Sequence, residues 1–365
     1  MSGTLGRRNE PSVDLGVNFE REIREQPKAW DRIARSDAAA RLVEALEAEV
    51  ILIGSGSSLF AAQLGAIALR RRGITAHAVA ATEAQGDAKA YQDRVVIAIS
   101  QSGRSSDVLL ALDALQPRRT VALTNTTDSP LAARADLTID IDAGPEQAIP
   151  ATKSVSCTIA ILLSAASLVA HEHTRDADVL VRTAQTVEAW LNGPQVGPVV
   201  RAGVAIAGRH DIMVLGTDYG APIAREAALK FKEATYLHAE GFEAGEFRHG
   251  SAAMIDASSV VLGIMDRDAI EIVGRPLREA KKSGALRYVI GTTTVDGIAQ
   301  LGPALAAARA ADRTCVIVIA TDAAASTAAG GHWWNVPVPE VSQRAEVSAA
   351  RERYTQALKH RATDE

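Results

Sequence analysis

Three charged residues at positions 226, 230 and 233 lie in a segment whose pattern predicts a helix. Glu226, Lys230 and Glu233 are spaced i, i+4 and i+7, so a helix would place all three on one face. A carboxylate held beside an ammonium group can act as a proton-transfer base. The spacing alone is more typical of an exposed salt-bridge ladder. His249 follows in a loop, where a histidine is more often structural but can move protons near neutral pH.

Two serine-rich segments stand where a predicted strand ends and a predicted helix begins. They are GSGSSLFAA at 54–62 and SQSGRSSD at 100–107. Because a helix N-terminus presents free N–H groups and partial positive charge, a hydroxyl-rich turn there can bind phosphate without a lysine. Serines before a helix are also ordinary N-caps, but two such segments favour the phosphate site. The candidate ligands are Gly56, Ser57, Ser58, Ser100, Gln101, Ser102 and Ser105.

The sequence does not fit the common motifs of dinucleotide, nucleoside triphosphate or metal sites. Gly54 and Gly56 match the first two glycines of a dinucleotide fingerprint, but Leu59 stands where the third is needed. The chain also has no GxxxxGK[ST] loop. The HEH triplet at 171–173 lacks a third metal ligand at a recognisable spacing. We therefore expect a monophosphate ligand, with no metal and no organic cofactor.

Strands alternate with helices along most of the chain, and the pattern restarts at HDIMVLG, residues 210–216. This alternation predicts an α/β protein with two copies of one parallel-sheet unit, each covered on both faces by helices. Ligands of such folds bind at the carboxyl ends of the strands. The sequence predicts a strand, a turn and a helix over 119–136, a strand at 314–320 and a linker at 192–198. The expected divisions are a disordered lead-in at 1–17, a first domain with an N-terminal helix at 18–192, a second domain at 193–339 and a charged helix or tail at 340–365.

The composition is that of a soluble globular protein. The 365 residues are 47% hydrophobic, and the net charge of −5 argues against a broad nucleic-acid-binding face. Cys157 and Cys315 both lie in apolar runs and are predicted core residues, which excludes a disulfide framework and fits a reducing cytoplasm. The N-terminus lacks the apolar core of a signal peptide, and the apolar run at 158–170 is too short to span a bilayer. We expect a cytoplasmic protein with no nucleic-acid or membrane partner.

Five segments taken together resemble the sugar isomerase (SIS) family, in the family's order and spacing, over about residues 18–335. They are REIREQP (21–27), GSGSS (54–58), SQSGRSSD (100–107), AGPEQAIPATKS (143–154) and EAALKFKEATYLHAEGFEAGEFRHG (226–250). The sequence is most similar to the isomerase half of glucosamine-6-phosphate synthase and to stand-alone amino-sugar-phosphate isomerases and deaminases. The resemblance implies two tandem SIS domains, each a doubly wound, flavodoxin-like parallel sheet, that bind a phosphosugar.

The resemblance also implies roles for the binding residues. The loop from Ser100 to Ser105 looks like the family's phosphate clamp, with Ser57 and Ser58 as a second group of hydroxyls. Ile149 and Ala151 lie in the segment similar to the family's substrate-binding segment, although Ala151 replaces a serine of the synthase pattern.

For the acid–base residues, Glu233 matches the base that moves a proton between C1 and C2 of the sugar. Lys230 and Glu226 match the residues that flank this base on its helix. His249 matches the ring-opening histidine that reaches the site from a neighbouring subunit, which implies a homodimer.

The sequence departs from the synthase pattern in several places. It shows no glutaminase domain with its N-terminal cysteine, Arg104 replaces an acidic residue, and Lys359 cannot be aligned with the Schiff-base lysine of the synthase tail. We therefore expect an isomerase and deaminase that converts glucosamine 6-phosphate to fructose 6-phosphate and ammonia. The alternatives are a deglycase of sugar-phosphate–amine adducts, a synthase half supplied with ammonia by a partner, and a non-catalytic phosphosugar sensor. The absence of an evident helix-turn-helix segment argues against a transcription factor.

Overall fold

The computed structural model describes residues 16–170, 176–194, 196–265, 269–291 and 317–318. Its first half contains a five-stranded sheet in the order β2-β1-β3-β4-β5, with every neighbouring pair parallel. The strand bounds are β1 Glu49–Gly54, β2 Thr75–Ala80, β3 Val95–Ile99, β4 Arg119–Thr124 and β5 Leu137–Asp140. This strand order is that of a flavodoxin-like sheet, as the resemblance to the SIS family implies.

Helices cover both faces of this first sheet. Their bounds are α1 Val17–Arg35, α2 Ala38–Ala45, α3 Ser57–Arg70, α4 Ala81–Gly86, α5 Ala88–Tyr91, α6 Ser106–Leu115, α7 Lys153–Val169 and α8 Asp176–Leu191. Alternate residues of β1 enter different cores. Val50 and Leu52 pack with one cluster, whereas Ile51 and Ile53 pack with another. Both faces are apolar because a parallel sheet is buried on both sides.

The second half repeats the arrangement with five further strands. The order β7-β6-β8-β9-β10 matches the order in the first sheet. The strand bounds are β6 Asp211–Gly216, β7 His238–Glu243, β8 Ser259–Ile264, β9 Leu286–Gly291 and β10 Ile317–Val318. The helix bounds are α9 Val196–Ala207, α10 Gly220–Thr235, α11 Ala244–Phe247 and α12 Ile270–Lys282. The last described strand, β10, pairs antiparallel with β9. The prediction of a wholly parallel second sheet is therefore wrong.

Two local predictions from the sequence are wrong. The helix expected within 119–136 is only a 3₁₀ turn, Ala132–Arg134, because backbone N–H groups there bond to another loop: Asn125 N donates to Gln101 O and Leu131 N to Gly103 O. The linker expected at 192–198 is shorter, because α9 already begins at Val196 and the first turn of a helix tolerates Pro198.

Some predictions fall outside the described residues. These are the lead-in at 1–15, Cys315, most of the 314–320 strand and the tail at 340–365. Cys157 is fully buried in the first core, as predicted, and burial raises the pKa of its thiol to about 12. Among the described helices, none has the length and apolar character that crossing a bilayer would need.

Candidate active site

The turn between β1 and α3 places Ser57 and Ser58 at the carboxyl edge of the first sheet. The turn is tight, because a Cβ on Gly54 would lie 2.8 Å from the carbonyl carbon of Ser58. Gly56, with a φ of 55°, occupies the N-cap position of α3 and leaves the helix without a side-chain cap. The partial positive charge at the N-terminus of α3 is therefore not offset by a capping side chain.

The loop between β3 and α6 lies at the end of the neighbouring strand. It closes a turn in which Gly103 N donates to Ser100 O over 3.1 Å. Gly103 has a φ of 61°, and a Cβ there would lie only 1.9 Å from Ser129 Oγ, so no other residue fits. Ser105 is the N-cap residue of α6, but its side chain makes no capping hydrogen bond. In the described residues, then, the serines of neither loop act as side-chain caps of these two helices.

A cluster of acidic and basic groups from α10 faces the first of these loops. Lys230 Nζ lies 2.6 Å from Glu233 Oε2 and 3.4 Å from Glu226 Oε1. It also donates to Ser57 Oγ over 3.1 Å, and Ser57 Oγ donates to Glu226 Oε1 over 3.1 Å. The second half of the chain thus supplies two carboxylates and an ammonium group to the serine loop of the first half.

These three side chains do not form an exposed ladder. Their exposed fractions are 12% for Glu226, 18% for Lys230 and 26% for Glu233. Charges removed from water interact more strongly and respond more to their neighbours than charges on an open helix face. The geometry therefore favours a functional cluster over the solvated ladder that the spacing alone favours.

Glu226 is the most buried acid of the cluster. Burial raises the pKa of its carboxyl group, while the positive charge of Lys230 and the hydrogen bond from Ser57 act in the opposite direction. Its Oε2 atom is buried with no hydrogen-bond partner among the described residues. A carboxyl group in this environment can hold a proton closer to neutral pH than an exposed glutamate can.

The segment after β5, residues 143–154, forms a third wall at the same edge of the first sheet. Ile149 is 83% exposed at its tip, and Ala151 is half-buried. The side chain of Asn125 joins this segment to the serine loop, because its Oδ1 accepts from Ala143 N over 2.9 Å and its Nδ2 donates to Gly144 O over 2.8 Å. The backbone N–H of Asn125 donates to Gln101 O over 3.0 Å.

Sequence reasoning missed the residue that anchors this third wall. Glu22 of α1 is fully buried and accepts from Gln147 N over 2.6 Å and from Ala148 N over 3.2 Å. A signal existed, because Glu22 lies seven and eleven residues before Ala29 and Ile33, which form the buried stripe of α1. A carboxylate in an apolar stripe indicates a buried partner.

Within the described residues, His249 is not bonded to this cluster. It follows α11, it is exposed, and its side chain makes no hydrogen bond or ion pair with any described residue. The structure therefore brings together Ser57, Glu226, Lys230 and Glu233, but not His249. A role for His249 in the site of a neighbouring subunit stays a prediction.

Comparison with known proteins identifies the family. A model of the SIS domain matches residues 46–168 and 205–326. The chain is 31% identical over 283 residues to the glutamine–fructose-6-phosphate aminotransferase (isomerizing) of Sulfurisphaera tokodaii, a match that covers 74% of this chain and 46% of that protein. The chain thus spans about half the length of the curated relatives it matches.

Solved structures share the fold. A glucosamine-6-phosphate deaminase from Thermotoga maritima superposes with a TM-score of 0.64 and 24% identity, covering 75% of this chain and 85% of that one. The C-terminal domain of the Francisella tularensis glucosamine–fructose-6-phosphate aminotransferase superposes with a TM-score of 0.66 and 19% identity, covering 85% and 90%. With its two matched domains, this chain belongs to the SIS family.

Proposed function

We propose that the protein is a phosphosugar aldose–ketose isomerase and deaminase that converts glucosamine 6-phosphate and water to fructose 6-phosphate and ammonia. The observation that carries this proposal is the cluster in which Lys230 lies between Glu226 and Glu233 and contacts Ser57. An acid–base cluster that meets a hydroxyl-rich anion site suits proton transfer on a phosphorylated substrate.

The phosphate would bind at the two loops that close the carboxyl edge of the first sheet. The ligands are the hydroxyls of Ser57, Ser58, Ser100, Ser102 and Ser105, the Gln101 amide and the backbone around Gly56. Two helix N-termini, those of α3 and α6, add partial positive charge. Ile149 and Ala151 would line the sugar from the third wall.

The proton transfer would use the α10 cluster. In the open-chain amino sugar, Glu233 takes the C2 proton, the electron pair forms the C1–C2 double bond of an enolamine, and the π pair of the C1 carbonyl moves to its oxygen, which takes a proton from water. Glu233 then returns its proton to C1, and the amino nitrogen gives one proton back to the hydroxide as the C2 imine forms. Water adds to the imine carbon and ammonia leaves as the C2 carbonyl forms, so the atoms balance. Lys230, 2.6 Å from Glu233, would stabilise negative charge that develops on the substrate oxygen.

Two further roles complete the proposal. Glu226 flanks the base and, with its raised pKa, can hold a proton beside Ser57. His249, from a neighbouring subunit of a homodimer, would open the sugar ring. The similarity to aminotransferases named for fructose 6-phosphate and for isomerisation supports this substrate class. We propose the ammonia-releasing direction. It can be assayed by adding glucosamine 6-phosphate as the single sugar substrate.

The test measures ammonia and fructose 6-phosphate released from glucosamine 6-phosphate in the same reaction. We expect turnover by the wild type and a loss of about 10²- to 10⁴-fold in Glu233→Gln, the range for removal of a general base. Exposed Glu240→Gln on β7 is the matched control and should keep wild-type turnover. Tight binding of the phosphosugar in calorimetry with no turnover by the wild type would overturn the deaminase and favour a sensor.

A further inference from the structure

Two helices from different halves of the chain lie side by side at the site. The hydroxyl of Ser57, at the start of α3, contacts Glu226 in the middle of α10. Further along α3, Gln63 Oε1 accepts from Arg225 Nη1 over 3.0 Å. Residue numbers rise along α3 while those of the partners fall along α10, so the two helices run antiparallel.

A third contact closes the far end of this helix pair. Arg71, the C-cap residue of α3, forms an ion pair with Asp218, just before α10 begins. The Arg71 guanidinium carbon also lies 4.4 Å from the ring centroid of Tyr219, a cation–π arrangement. One side chain of the first half thus contacts two consecutive residues of the second.

Asp218 holds an uncommon backbone conformation at this contact. Its φ is 53°, which costs a residue other than glycine about 1 kcal/mol or more. The surrounding turn is tight, since a Cβ on Gly216 would lie 2.1 Å from Gly220 O. The ion pair with Arg71 helps to offset the cost at Asp218, and the turn sets where α10 begins.

The α3–α10 contacts join the half of the chain that carries the proposed phosphate ligands to the half that carries the acid–base cluster. The serine loops belong to the first half, whereas Glu226, Lys230 and Glu233 belong to the second. At about 1.5 Å per residue, the 14 residues of α3 carry the Arg71 contact about 20 Å from Ser57. A helix is stiff over that length, so a contact at its far end influences where the carboxylates lie relative to the serine loops.

We propose that Arg71 is a positioning residue, which acts through the α3–α10 pair to hold the acid–base cluster of α10 against the phosphate loops of the first half. This inference rests on the proposed function, because its first test measures kcat of the proposed reaction. Loss of Arg71 should slow the proton transfer and leave phosphate affinity unchanged, because no phosphate ligand moves.

The first test compares Arg71→Ala with Arg70→Ala. Arg70 is the adjacent arginine on α3, and its Nη1 donates over 2.7 Å to Ala76 O within the first half. We expect kcat to fall by about 10- to 100-fold in Arg71→Ala, the scale for small misplacement of reacting groups. The Kd for inorganic phosphate, measured by calorimetry, should stay within about 2-fold of the wild type. Arg71→Lys, which keeps the charge, should recover part of kcat, and Arg70→Ala should change neither quantity.

A second readout does not depend on turnover. Hydrogen–deuterium exchange of the peptide covering residues 217–226 should be faster in Arg71→Ala than in Arg70→Ala. A wild type without deaminase activity would overturn the proposed function, and the exchange experiment would still decide the role of Arg71. Wild-type kcat in Arg71→Ala, a parallel loss of phosphate affinity, or equal exchange in the two variants would each overturn the positioning role.

Discussion

At the scale of single residues, Glu226 has the environment of a group whose protonation is coupled to stability. It is the least exposed member of the α10 cluster, and burial raises the pKa of its carboxyl above the ordinary value of 4.5. The folded state therefore binds its proton more tightly than the unfolded chain does. Ionisation of Glu226 consequently destabilises the fold, and this cost grows as pH rises through the interval above 4.5.

Glu226→Gln should remove this pH dependence, because a glutamine amide does not ionise. We expect the variant to become more stable relative to the wild type as pH rises from about 4 to about 7, so that its free energy of unfolding exceeds that of the wild type by a growing amount. Urea unfolding at several pH values measures the difference. The exposed Glu188→Gln gives the baseline for a glutamate on an open helix face. The burial argument would be contradicted if the difference in the free energy of unfolding between variant and wild type did not change with pH, or if the variant became relatively less stable as pH rose.

The residue scale also shows how far sequence reasoning reaches. The spacing of Glu226, Lys230 and Glu233 predicts a shared helix face, which the structure has. It could not predict that this face is largely buried, because the burying surface and the Ser57 contact come from a helix about 170 residues earlier in the chain. Local periodicity carries no information about such a partner. For Glu22, the buried stripe of α1 indicates that a partner exists, but it does not indicate that the partners are the backbone N–H groups of residues 147 and 148.

At the scale of elements, helix α1 holds the third wall of the site in place. Glu22 accepts hydrogen bonds from two consecutive backbone N–H groups of the 143–154 segment. Lys153, itself buried, donates to Glu25 Oε2 over 2.5 Å and to Pro145 O over 2.6 Å. These bonds fix a loop without regular secondary structure, whose tip exposes Ile149.

Removal of the Glu22 side chain should cost far more than removal of its exposed neighbour on the same helix. Glu22→Ala leaves two backbone N–H groups without an acceptor, for which we expect a loss of about 2–4 kcal/mol in the free energy of unfolding. Glu20→Ala removes only an exposed pair with Arg24 and should cost about 0.5 kcal/mol or less. Chemical denaturation of both variants makes the comparison. Equal losses would show that Glu22 does not anchor the segment.

The elements themselves were largely predictable. The alternation of strands with helices predicts parallel sheets covered by helices, which holds for every described strand pair except β9 with β10. The prediction failed at 119–136, where local propensity favours a helix but Asn125 and Leu131 donate their N–H groups to the Gln101–Gly103 turn instead. Tertiary hydrogen bonds outweighed propensity at the point where the chain supports the candidate phosphate site.

At the scale of the whole molecule, the candidate site joins groups that neither half supplies alone. Serine loops come from the first sheet and carboxylates from α10, yet His249 stays exposed and outside the cluster. A homodimer in which each subunit lends His249 to its partner would complete the site. In a twofold dimer, such an exchange occurs at both sites.

Mixing two inactive variants can test this exchange. We expect Glu233→Gln and His249→Asn each to be inactive alone. A heterodimer of the two would have one site with both defects and one intact site. Because random pairing makes half of the dimers mixed, the mixture should recover about a quarter of wild-type turnover. The assay is ammonia release after the two variants are unfolded and refolded together.

The control pair is Glu233→Gln mixed with Lys230→Met. Both residues lie on one α10 helix and contact each other, so every site takes both from the same chain. This mixture should recover no activity, because a heterodimer then holds one defect in each of its two sites. Recovery in the His249 mixture alone would place His249 in the partner's site. If neither mixture recovers, His249 acts within its own subunit, whereas turnover by His249→Asn alone would show that His249 takes no part.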